Sequence, residues 1–239
     1  MLFYAALFVV AVLSGATASL VGFGIGSMLT PLLALQIGTD LAVAAVALPH
    51  AVATALRCWR LRAAIDWTVL TRFGLLSAAG GLAGALAYSQ LDAPSLTRVL
   101  GGLLVLTAVA QLSGLAARWR PRGLTVGVVG LVSGFFGGIA GNQGGLRAAA
   151  LTAFSLSPLA FVATSTATGL LVDAARTPVY LYAAGPALRS LWIPMAVATA
   201  GVLAGTILGE RVLLGMSRDR FSRLVAIAIG LLGLWLLVG

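Results

Sequence analysis

Few residues of this chain can do chemistry, and most of them lie within or beside long apolar stretches. His50 is the single histidine and Cys58 the single cysteine, so we expect no multi-histidine metal site, thiol cluster or internal disulfide. Asp173 and Arg176 are three positions apart, which on a helix places them on one face where they can pair. No metal, cofactor or catalytic residue is therefore predicted.

Two glycine-rich clusters interrupt the apolar sequence at matching places. Glycine lets the backbone turn sharply and leaves its N–H groups uncovered. A helix that begins after such a break points its partly positive N-terminus at the gap, which suits an anion. The alternative is that these glycines only permit tight helix crossings. The predicted substrate-binding residues are Gly22, Gly24, Gly26, Gly141, Asn142, Gln143, Gly144, Gly145 and Arg147.

Asn142, Gln143 and Arg147 add hydrogen-bond donors at the second cluster. Amide side chains are poor choices for a lipid-facing position, so both should point inward, towards either a ligand or a neighbouring helix. Arg147 lies one turn further along. It either holds an anion directly or extends its charge to the membrane interface.

Four further residues, His50, Arg57, Asp173 and Arg176, are predicted to act in coupling or gating. His50 lies in an apolar helix and titrates near neutrality, so it either exchanges a proton during transport or is a packed, hydrogen-bonded residue. The Asp173–Arg176 pair belongs either to a gate or to a structural ion pair. Arg57 either concentrates anions at an entrance or anchors the chain at an interface.

Composition assigns the chain to the membrane class. It has 239 residues, of which 60% are hydrophobic and 9% charged, with a mean hydropathy of +1.07. A soluble domain of this length could not cover its surface with so few polar residues, whereas long apolar runs are typical of helices that span a bilayer. The expected runs are Met1–Val21, Trp67–Tyr88, Leu103–Ala117, Leu191–Leu208 and Leu224–Val238.

The positive charge of the chain consists of arginine alone. All 15 basic residues are Arg, against six acids. In a soluble protein that excess would suggest nucleic acid, but here the arginines lie in short loops or at helix ends, where they orient a membrane protein and meet lipid headgroups. We therefore predict the bilayer, not nucleic acid, as a partner. Met1–Val21 lacks a positive n-region and is expected to be a retained helix.

Internal repetition organises the chain. Ser14-Gly15 recurs as Ser133-Gly134, an offset of 119 residues (133 minus 14). The same offset relates His50 to Gly169, which follows the hydroxyl-rich run 164–168; those hydroxyls either line a polar path or bond back to their own helix. Three further matches at this offset are Gly22 with Gly141, Gly26 with Gly145, and Arg57 with Arg176.

Beyond these matches the spacing drifts by a few residues, so that Gly81–Gly84 resembles Gly201–Gly205. Duplication explains the ordered series of matches, with chance similarity between apolar helices as the alternative. The predicted first repeat spans residues 1–117 and the second 124–239, joined by an Arg-rich linker at 118–123.

Each half reads as a long first helix, a glycine break, a short apolar segment and three longer helices. The short segments are Met28–Ile37 and Leu146–Leu156. The longer helices are expected near 41–58, 67–90 and 96–117, and near 159–182, 190–212 and 221–238. Asp66, Asp92 and Asp219 fall in turns as caps or loop charges. The predicted fold is an all-α polytopic membrane domain of eight long helices and two short broken segments.

Charge placement distinguishes parallel from inverted repeats. Arginine clusters occur at Arg57–Arg62, Arg118–Arg122 and Arg211–Arg223, while the turns expected around Asp92 and Gly185 carry few. With five crossings in each half, the second half is inverted and all three clusters face the cytoplasm. With four crossings, the last cluster lies on the opposite side. The positive-inside rule therefore favours inverted repeats, which are frequent among transporters.

These motifs resemble the sulfite exporter TauE/SafE family of membrane permeases, over essentially the whole chain. The first half carries the resemblance in Ser14-Gly15, Gly22–Ser27, Pro31–Leu33, Val43–Ala55, Arg57 and Ile65–Trp67. The second half carries it in Ser133–Phe135, Gly141–Gly145 and Val162–Ala167. The chain departs from the family pattern where Asn142-Gln143 replaces the more usual glycine or valine, and where Leu146-Arg147 adds a charge.

The resemblance implies transport of small sulfur-containing or organic anions such as sulfite, thiosulfate or organosulfonates, usually in a bacterial inner membrane. Together with the glycine breaks it predicts a secondary transporter, not an enzyme, that works by alternating access with the anion between the breaks. Protons are the candidate coupling ion, and a further copy of the chain is a candidate partner in a homo-oligomer. The rival interpretations are a membrane-embedded enzyme such as an acyltransferase, using Ser27 or His50, and a non-transporting membrane subunit.

Overall fold

The computed structural model describes residues 1–114, 123–142, 144–212 and 218–238, with the side chains of Val21 and of residues 210–222 left out. Within these ranges the chain forms ten helices and no strand. They are α1 (Leu2–Val21), α2 (Ile25–Ile37), α3 (Thr39–Leu61), α4 (Trp67–Tyr88), α5 (Ala93–Leu112), α6 (Leu124–Ala140), α7 (Gly144–Leu151), α8 (Pro158–Ser190), α9 (Trp192–Val212) and α10 (Arg218–Val238). The predicted all-α fold of eight long helices and two short segments is confirmed.

Several predicted features lie outside the described residues. These are Gln143, the linker at 118–123 apart from Gly123, and the side chains of Arg211 and Asp219.

Six of the described helices are long and apolar enough to cross a membrane: α1, α3, α4, α5, α8 and α9. Helices α2, α6 and α10 contribute shorter apolar stretches. Tryptophans near the helix ends, including Trp59, Trp67 and Trp192, are 64–67% exposed, a placement typical of residues at the membrane–water interface. The chain is therefore a multi-pass membrane protein.

One predicted turn is wrong. Gly185 was expected in a turn after a helix near 159–182, but α8 continues through Gly185 and Pro186 and ends at Ser190. A broken backbone in lipid leaves N–H and C=O groups without partners, so a continuous helix is favoured even through glycine and proline. Two other helices end earlier than expected, α5 at Leu112 and α7 at Leu151.

The turns before α4 and α5 agree with expectation. Asp66 accepts a hydrogen bond from the backbone N–H of Val69 at 2.9 Å, and Asp92 accepts one from that of Ser95 at 3.1 Å. Both carboxylates therefore cap helix N-termini. The bonds from Ser95 lower the pKa of the exposed Asp92 carboxyl, because they stabilise its charged form.

The long helices pair reciprocally between the two halves of the sequence. Helix α1 packs along α9, and α6 packs along α4. Both crossings are close: a Cβ on Gly15 would meet the backbone of Val202, and a Cβ on Gly134 would meet that of Ser77. Helices α3 and α8 also pack together, as do α5 and α10. Small residues permit this approach in lipid.

The glycines of α4 and α9 that make equivalent packing contacts are not the ones that the sequence comparison matched. Gly80 faces Leu131 of α6, whereas Gly205 faces Val12 of α1. Since Leu131 and Val12 are related by the repeat offset, Gly80 corresponds to Gly205 by packing. The expected match of Gly81–Gly84 with Gly201–Gly205 is therefore displaced by about one helical turn from the correspondence that the packing gives. Glycines four residues apart offer similar surfaces on successive turns, so their spacing alone does not define a register.

Candidate functional site

The two glycine breaks meet inside the bundle. Helix α1 ends at Gly22 with φ +84°, and α6 ends at Gly141 with φ +70°, a left-handed conformation that glycine adopts without steric cost. The segments that follow touch each other, because a Cβ on Gly26 would overlap the carbonyl oxygen of Gly141. The ring of Phe23 lies against Gly144. The structure thus joins breaks that are more than 100 residues apart in sequence.

Two other predicted glycines face neighbouring helices and not the junction. A Cβ on Gly145 would lie 2.6 Å from Cγ2 of Thr107 on α5, and one on Gly24 would lie 3.0 Å from Cγ2 of Thr17 on α1. At Gly145 the structure supports the alternative interpretation, in which glycine permits close packing. Gly24 has a φ of +134°, a backbone conformation that favours glycine.

Asn142 links the two breaks through its side chain. Its Oδ1 accepts a hydrogen bond of 2.8 Å from the hydroxyl of Ser27 at the start of α2. The residue is 4% exposed, and among the described residues its Nδ2 has no hydrogen-bond partner. Asn142 therefore makes a helix–helix bond with one end of its amide and offers a buried donor with the other.

Arg147 reaches from the second break to the first. Its Nε donates to Oγ of Ser165 on α8 at 3.0 Å, and one terminal nitrogen, NH2, donates to the carbonyl of Gly22 at 3.2 Å. The other terminal nitrogen, NH1, has no partner among the described residues. Arg147 is 2% exposed, so its charge lies inside the protein and not at a membrane interface.

Arg57 occupies a second buried position, at the residue of α8 that follows Ser165, the partner of Arg147. Its Nε donates to the hydroxyl of Thr166 at 2.9 Å, and within the described ranges its NH1 also lacks a partner. Arg57 is 4% exposed and lines a cavity of about 170 Å³ with Arg60, Ser19 and Thr206. Because it is buried in the bundle, Arg57 does not anchor the chain at an interface.

His50, Asp173 and Arg176 form one buried cluster. Nδ1 of His50 lies 2.6 Å from Oδ2 of Asp173. Oδ1 of the same carboxylate accepts a hydrogen bond from Nε of Arg176 at 3.0 Å and forms an ion pair with its NH2 at 2.8 Å. The expected Asp173–Arg176 pairing is therefore present, and His50 is hydrogen-bonded. The NH1 of Arg176 donates to the carbonyl of Gly137 near the end of α6.

Two tyrosines beyond this cluster were not expected from the sequence. The rings of Tyr88 and Tyr180 make an edge contact with centroids 4.9 Å apart. The Tyr88 hydroxyl donates to the carbonyl of Asp40 at 2.8 Å, and that of Tyr180 donates to the carbonyl of Gly138. The sequence signal was a tyrosine within an apolar helix, whose hydroxyl needs a buried partner.

The hydroxyl run of α8 makes contacts with other elements and not with its own helix. Thr164 accepts a hydrogen bond from the backbone N–H of Asp66, Ser165 contacts Arg147, and Thr166 contacts Arg57. All three residues are fully buried. The run therefore positions both buried arginines from adjacent residues of one helix.

The buried charges do not balance among the described residues. Arg57, Arg147 and Arg176 are buried, while Asp173 is the one buried acid there. Asp173 pairs with Arg176, so Arg57 and Arg147 have no carboxylate partner in that part of the chain. No group of three or more His, Cys, Asp or Glu residues that could hold a metal ion occurs within it either. A buried cation needs compensating acceptors or an anion.

The family comparison agrees with the sequence motifs. A family model described as "Sulfite exporter TauE/SafE" matches residues 7–236, nearly the whole chain. No curated protein and no solved structure matches the chain.

Proposed function

The chain belongs to the sulfite exporter TauE/SafE family, whose members are membrane permeases for sulfur-containing anions and not enzymes, and from that premise we propose that it carries sulfite, thiosulfate or an organosulfonate by alternating access. The anion is held at Arg147, between the two glycine breaks. The location we propose is the inner membrane of a bacterium, which the family membership and the membrane-spanning helices support.

The observation that carries this proposal is the state of the Arg147 side chain. Its guanidinium is 2% exposed, makes two hydrogen bonds to neutral oxygens, and keeps NH1 without a partner in the described part of the chain. A buried charge in this state is costly until an anion arrives. Sulfur oxyanions and sulfonates offer several oxygen acceptors, and hydrogen bonds between ionised groups are about twice as strong as neutral ones.

Helix ends at the junction support the same assignment. Helix α2 begins beside Gly141, and α7 begins beside Phe23, so the N-terminus of each short helix lies next to the other break. Both ends carry a partial positive charge. The free amide donor of Asn142 lies at the same junction. Together with Arg147, these groups favour an anion over a neutral or cationic substrate.

The two ends of the proposed pathway differ in how they are closed. The cavity beside Arg57 lies at the Arg60 end of α3. The contact between Tyr88 and Tyr180 lies near the Asp40 end. If the arginine cluster at Arg57–Arg62 faces the cytoplasm, the cavity lies on the inward side of the protein and the tyrosine contact on the outward side. Inverted repeats would supply the opposite conformation by exchanging the roles of the halves.

Protons are the proposed coupling ion. His50 is the one side chain of this chain whose ordinary pKa lies near neutrality, and Nδ1 contacts the Asp173 carboxylate. Arg176 and Arg147 are the cations that face it from α8 and α7. A proton on His50 would draw the Asp173 carboxylate towards the imidazolium and weaken its interaction with Arg176. Protonation would in this way change the buried charges around the anion.

The direct test is uptake of radiolabelled sulfite, thiosulfate and an alkylsulfonate into proteoliposomes that contain the purified chain, with and without an imposed pH gradient. We expect saturable uptake of at least one of these anions and none in protein-free vesicles. Absence of flux for every sulfur oxyanion and sulfonate tested, in either direction, would falsify the proposal.

A further inference from the structure

The cavity beside Arg57 is lined by groups that suit an anion. It has a volume of about 170 Å³, room for about five or six water molecules. Arg57 and Arg60 supply two guanidinium groups, and Ser19 and Thr206 supply two hydroxyls. Its described lining residues include no acid. A compact oxyanion fits this cavity, whereas larger ligands occupy pockets of about 300–1,000 Å³.

The charge of Arg57 is not neutralised by the protein around it. The side chain donates from Nε to the hydroxyl of Thr166, which is an uncharged acceptor. NH1 has no partner among the described residues, and neither does the hydroxyl of Thr206 in the cavity wall. A buried cation in this state is costly unless an anion lies close to it. Because Arg57 lines the cavity, a ligand there is adjacent to this charge.

The repeat counterpart of Arg57, Arg176, does have an internal partner. Asp173, three residues before Arg176, forms an ion pair with it. The repeat offset of 119 residues relates Asp173 to Thr54 (173 minus 54). Thr54 is three residues before Arg57 and so lies on the same face of α3, but it carries no charge. The first half therefore lacks the carboxylate that the second half supplies to the equivalent arginine.

Tyr180 fills the space that corresponds to the cavity in the other half. At the offset of 119 residues, Tyr180 is the counterpart of Leu61 in the cavity wall. Gly138 is likewise the counterpart of Ser19, and its carbonyl accepts the hydrogen bond of the Tyr180 hydroxyl. The centre of the tyrosine ring lies 5.8 Å from Cζ of Arg176. One arginine thus has a carboxylate and an aromatic ring beside it, and the other has a threonine and a cavity.

We propose that the Arg57 cavity is a second anion-binding site, which takes a compact sulfur oxyanion that compensates Arg57 as Asp173 compensates Arg176. This inference rests on the proposed function and adds a second site to it. The phosphate group of an anionic lipid offers the same kind of oxygen, and Arg60 in the cavity wall is exposed. The test therefore distinguishes a free oxyanion from a lipid headgroup.

The second site adjoins the first. Arg57 bonds Thr166 and Arg147 bonds Ser165, which are consecutive residues of α8. An anion in the cavity is therefore one step from Arg147 on the side towards the end of α3. Adjacent sites of moderate affinity allow an anion to bind and still leave.

The first test counts radiolabelled thiosulfate bound at equilibrium to full-length protein in phosphatidylcholine nanodiscs. Thr54→Asp places a carboxylate at the position that corresponds to Asp173, where it should pair with Arg57 and exclude an anion. We expect a second bound thiosulfate in wild type, with an affinity that falls about thirtyfold or more in Thr54→Asp. The matched control is Thr54→Asn, which has a similar size and no charge and should keep the second site.

A second variant separates a ligand site from a structural arginine. Arg57→Gln should also weaken the second site about thirtyfold or more. Its free energy of unfolding without anion should fall far less than that of Arg176→Gln, which breaks a buried ion pair. Equal destabilisation by the two variants would overturn the inference, because Arg57 would then be needed by the fold. This comparison also decides the matter if Thr54→Asp does not fold.

Lipid composition identifies the source of the oxyanion. The binding measurement is repeated in nanodiscs that contain phosphatidylglycerol. Affinity of the second site within about twofold of that in phosphatidylcholine supports a free anion, since lipid headgroups attract arginine mainly through their charge. Loss of the second thiosulfate as phosphatidylglycerol is added would assign the cavity to a lipid headgroup and overturn the inference.

The outcomes also separate this inference from the proposed function. Wild-type protein that transports thiosulfate but binds no second ion would overturn the second site and leave the proposed function intact. The same holds if the second ion persists unchanged in Thr54→Asp and Arg57→Gln. Wild-type protein that neither binds nor transports any sulfur oxyanion or sulfonate would overturn both.

Discussion

Oδ2 of Asp173 lies 2.6 Å from Nδ1 of His50, although the two residues are 123 positions apart in the chain. The other oxygen of the same carboxylate binds Arg176. One buried acid is therefore shared between an imidazole, which can be neutral or charged, and a guanidinium, which is always charged. This arrangement connects α3 with α8 and makes the interaction between them depend on protonation.

Replacing His50 by glutamine should uncouple transport from protons. Glutamine retains a hydrogen-bonding end towards Asp173 but does not titrate. We expect His50→Gln to keep anion–anion exchange in proteoliposomes while losing any stimulation of net uptake by an imposed pH gradient. The measurement is uptake with and without the gradient, in net-flux and exchange modes. Undiminished stimulation in the variant would exclude His50 as the proton carrier.

Replacing Asp173 by asparagine should destabilise the protein more than replacing His50. Asp173→Asn leaves the guanidinium of Arg176 buried without a carboxylate, which typically costs about 3–5 kcal/mol. In His50→Gln the amide can still donate to Asp173, so the loss should stay below the roughly 1.5–3 kcal/mol of a hydrogen bond to a charged group. Denaturant unfolding in detergent measures the difference from His50→Gln.

The matched control for this stability measurement is Asp92→Asn. Asp92 is an exposed helix cap, and asparagine caps as well as aspartate. The free energy of unfolding of Asp92→Asn should therefore stay near that of wild type. Equal stability of Asp173→Asn and Asp92→Asn would show that Arg176 does not depend on the carboxylate.

Lysine in place of Arg147 should weaken anion binding while retaining the positive charge. The ammonium cannot bond Ser165, Gly22 and an anion with the planar fork of a guanidinium. We expect KM for the transported anion to rise about tenfold or more in Arg147→Lys. Arg189→Lys, at an exposed position near the end of α8, is the control and should match wild type. Unchanged KM in Arg147→Lys would assign the anion to another site.

A methyl group at Gly26 should separate the two breaks. Its Cβ would overlap the carbonyl oxygen of Gly141, so α2 or the end of α6 must move, at a cost of about 1–3 kcal/mol. We expect Gly26→Ala to unfold more easily and to lose transport. The control is Gly102→Ala, at a glycine inside α5 where no atom lies within 4 Å of an added Cβ. Wild-type flux in Gly26→Ala would mean that close contact between the breaks is not needed for transport.

Asn142 allows its two roles to be separated. If its free Nδ2 donates to the anion, Asn142→Asp should reduce anion affinity strongly, because it replaces a donor with a negative charge. Ser27→Ala removes the helix–helix bond and should reduce stability with little change in affinity. Measurements of anion binding by calorimetry and of unfolding on both variants give the comparison. Equal effects of both variants on affinity would indicate that Asn142 has only a structural role.

The membrane class, the helices and the two breaks could be predicted from the sequence because their causes are local. Hydrophobic runs of sufficient length cross a bilayer whatever lies beside them, and Gly22 and Gly141 adopt the left-handed conformation that other residues avoid. The Asp173–Arg176 pair was also predictable from local sequence, since a separation of three residues on a helix places two side chains on the same face. The end of α8 was less predictable, because continuous hydrogen bonding in lipid outweighed the preference of Gly185 and Pro186 for a turn.

The assembly of the site depended on tertiary structure. Each buried polar side chain had several candidate partners in the sequence, and only the packing of α3, α7 and α8 selected His50 for Asp173 and Ser165 for Arg147. Sequence determined which polar groups would be buried, because hydropathy is a property of each segment. Tertiary structure decided which donors were left without partners, because that depends on distances between side chains of different helices.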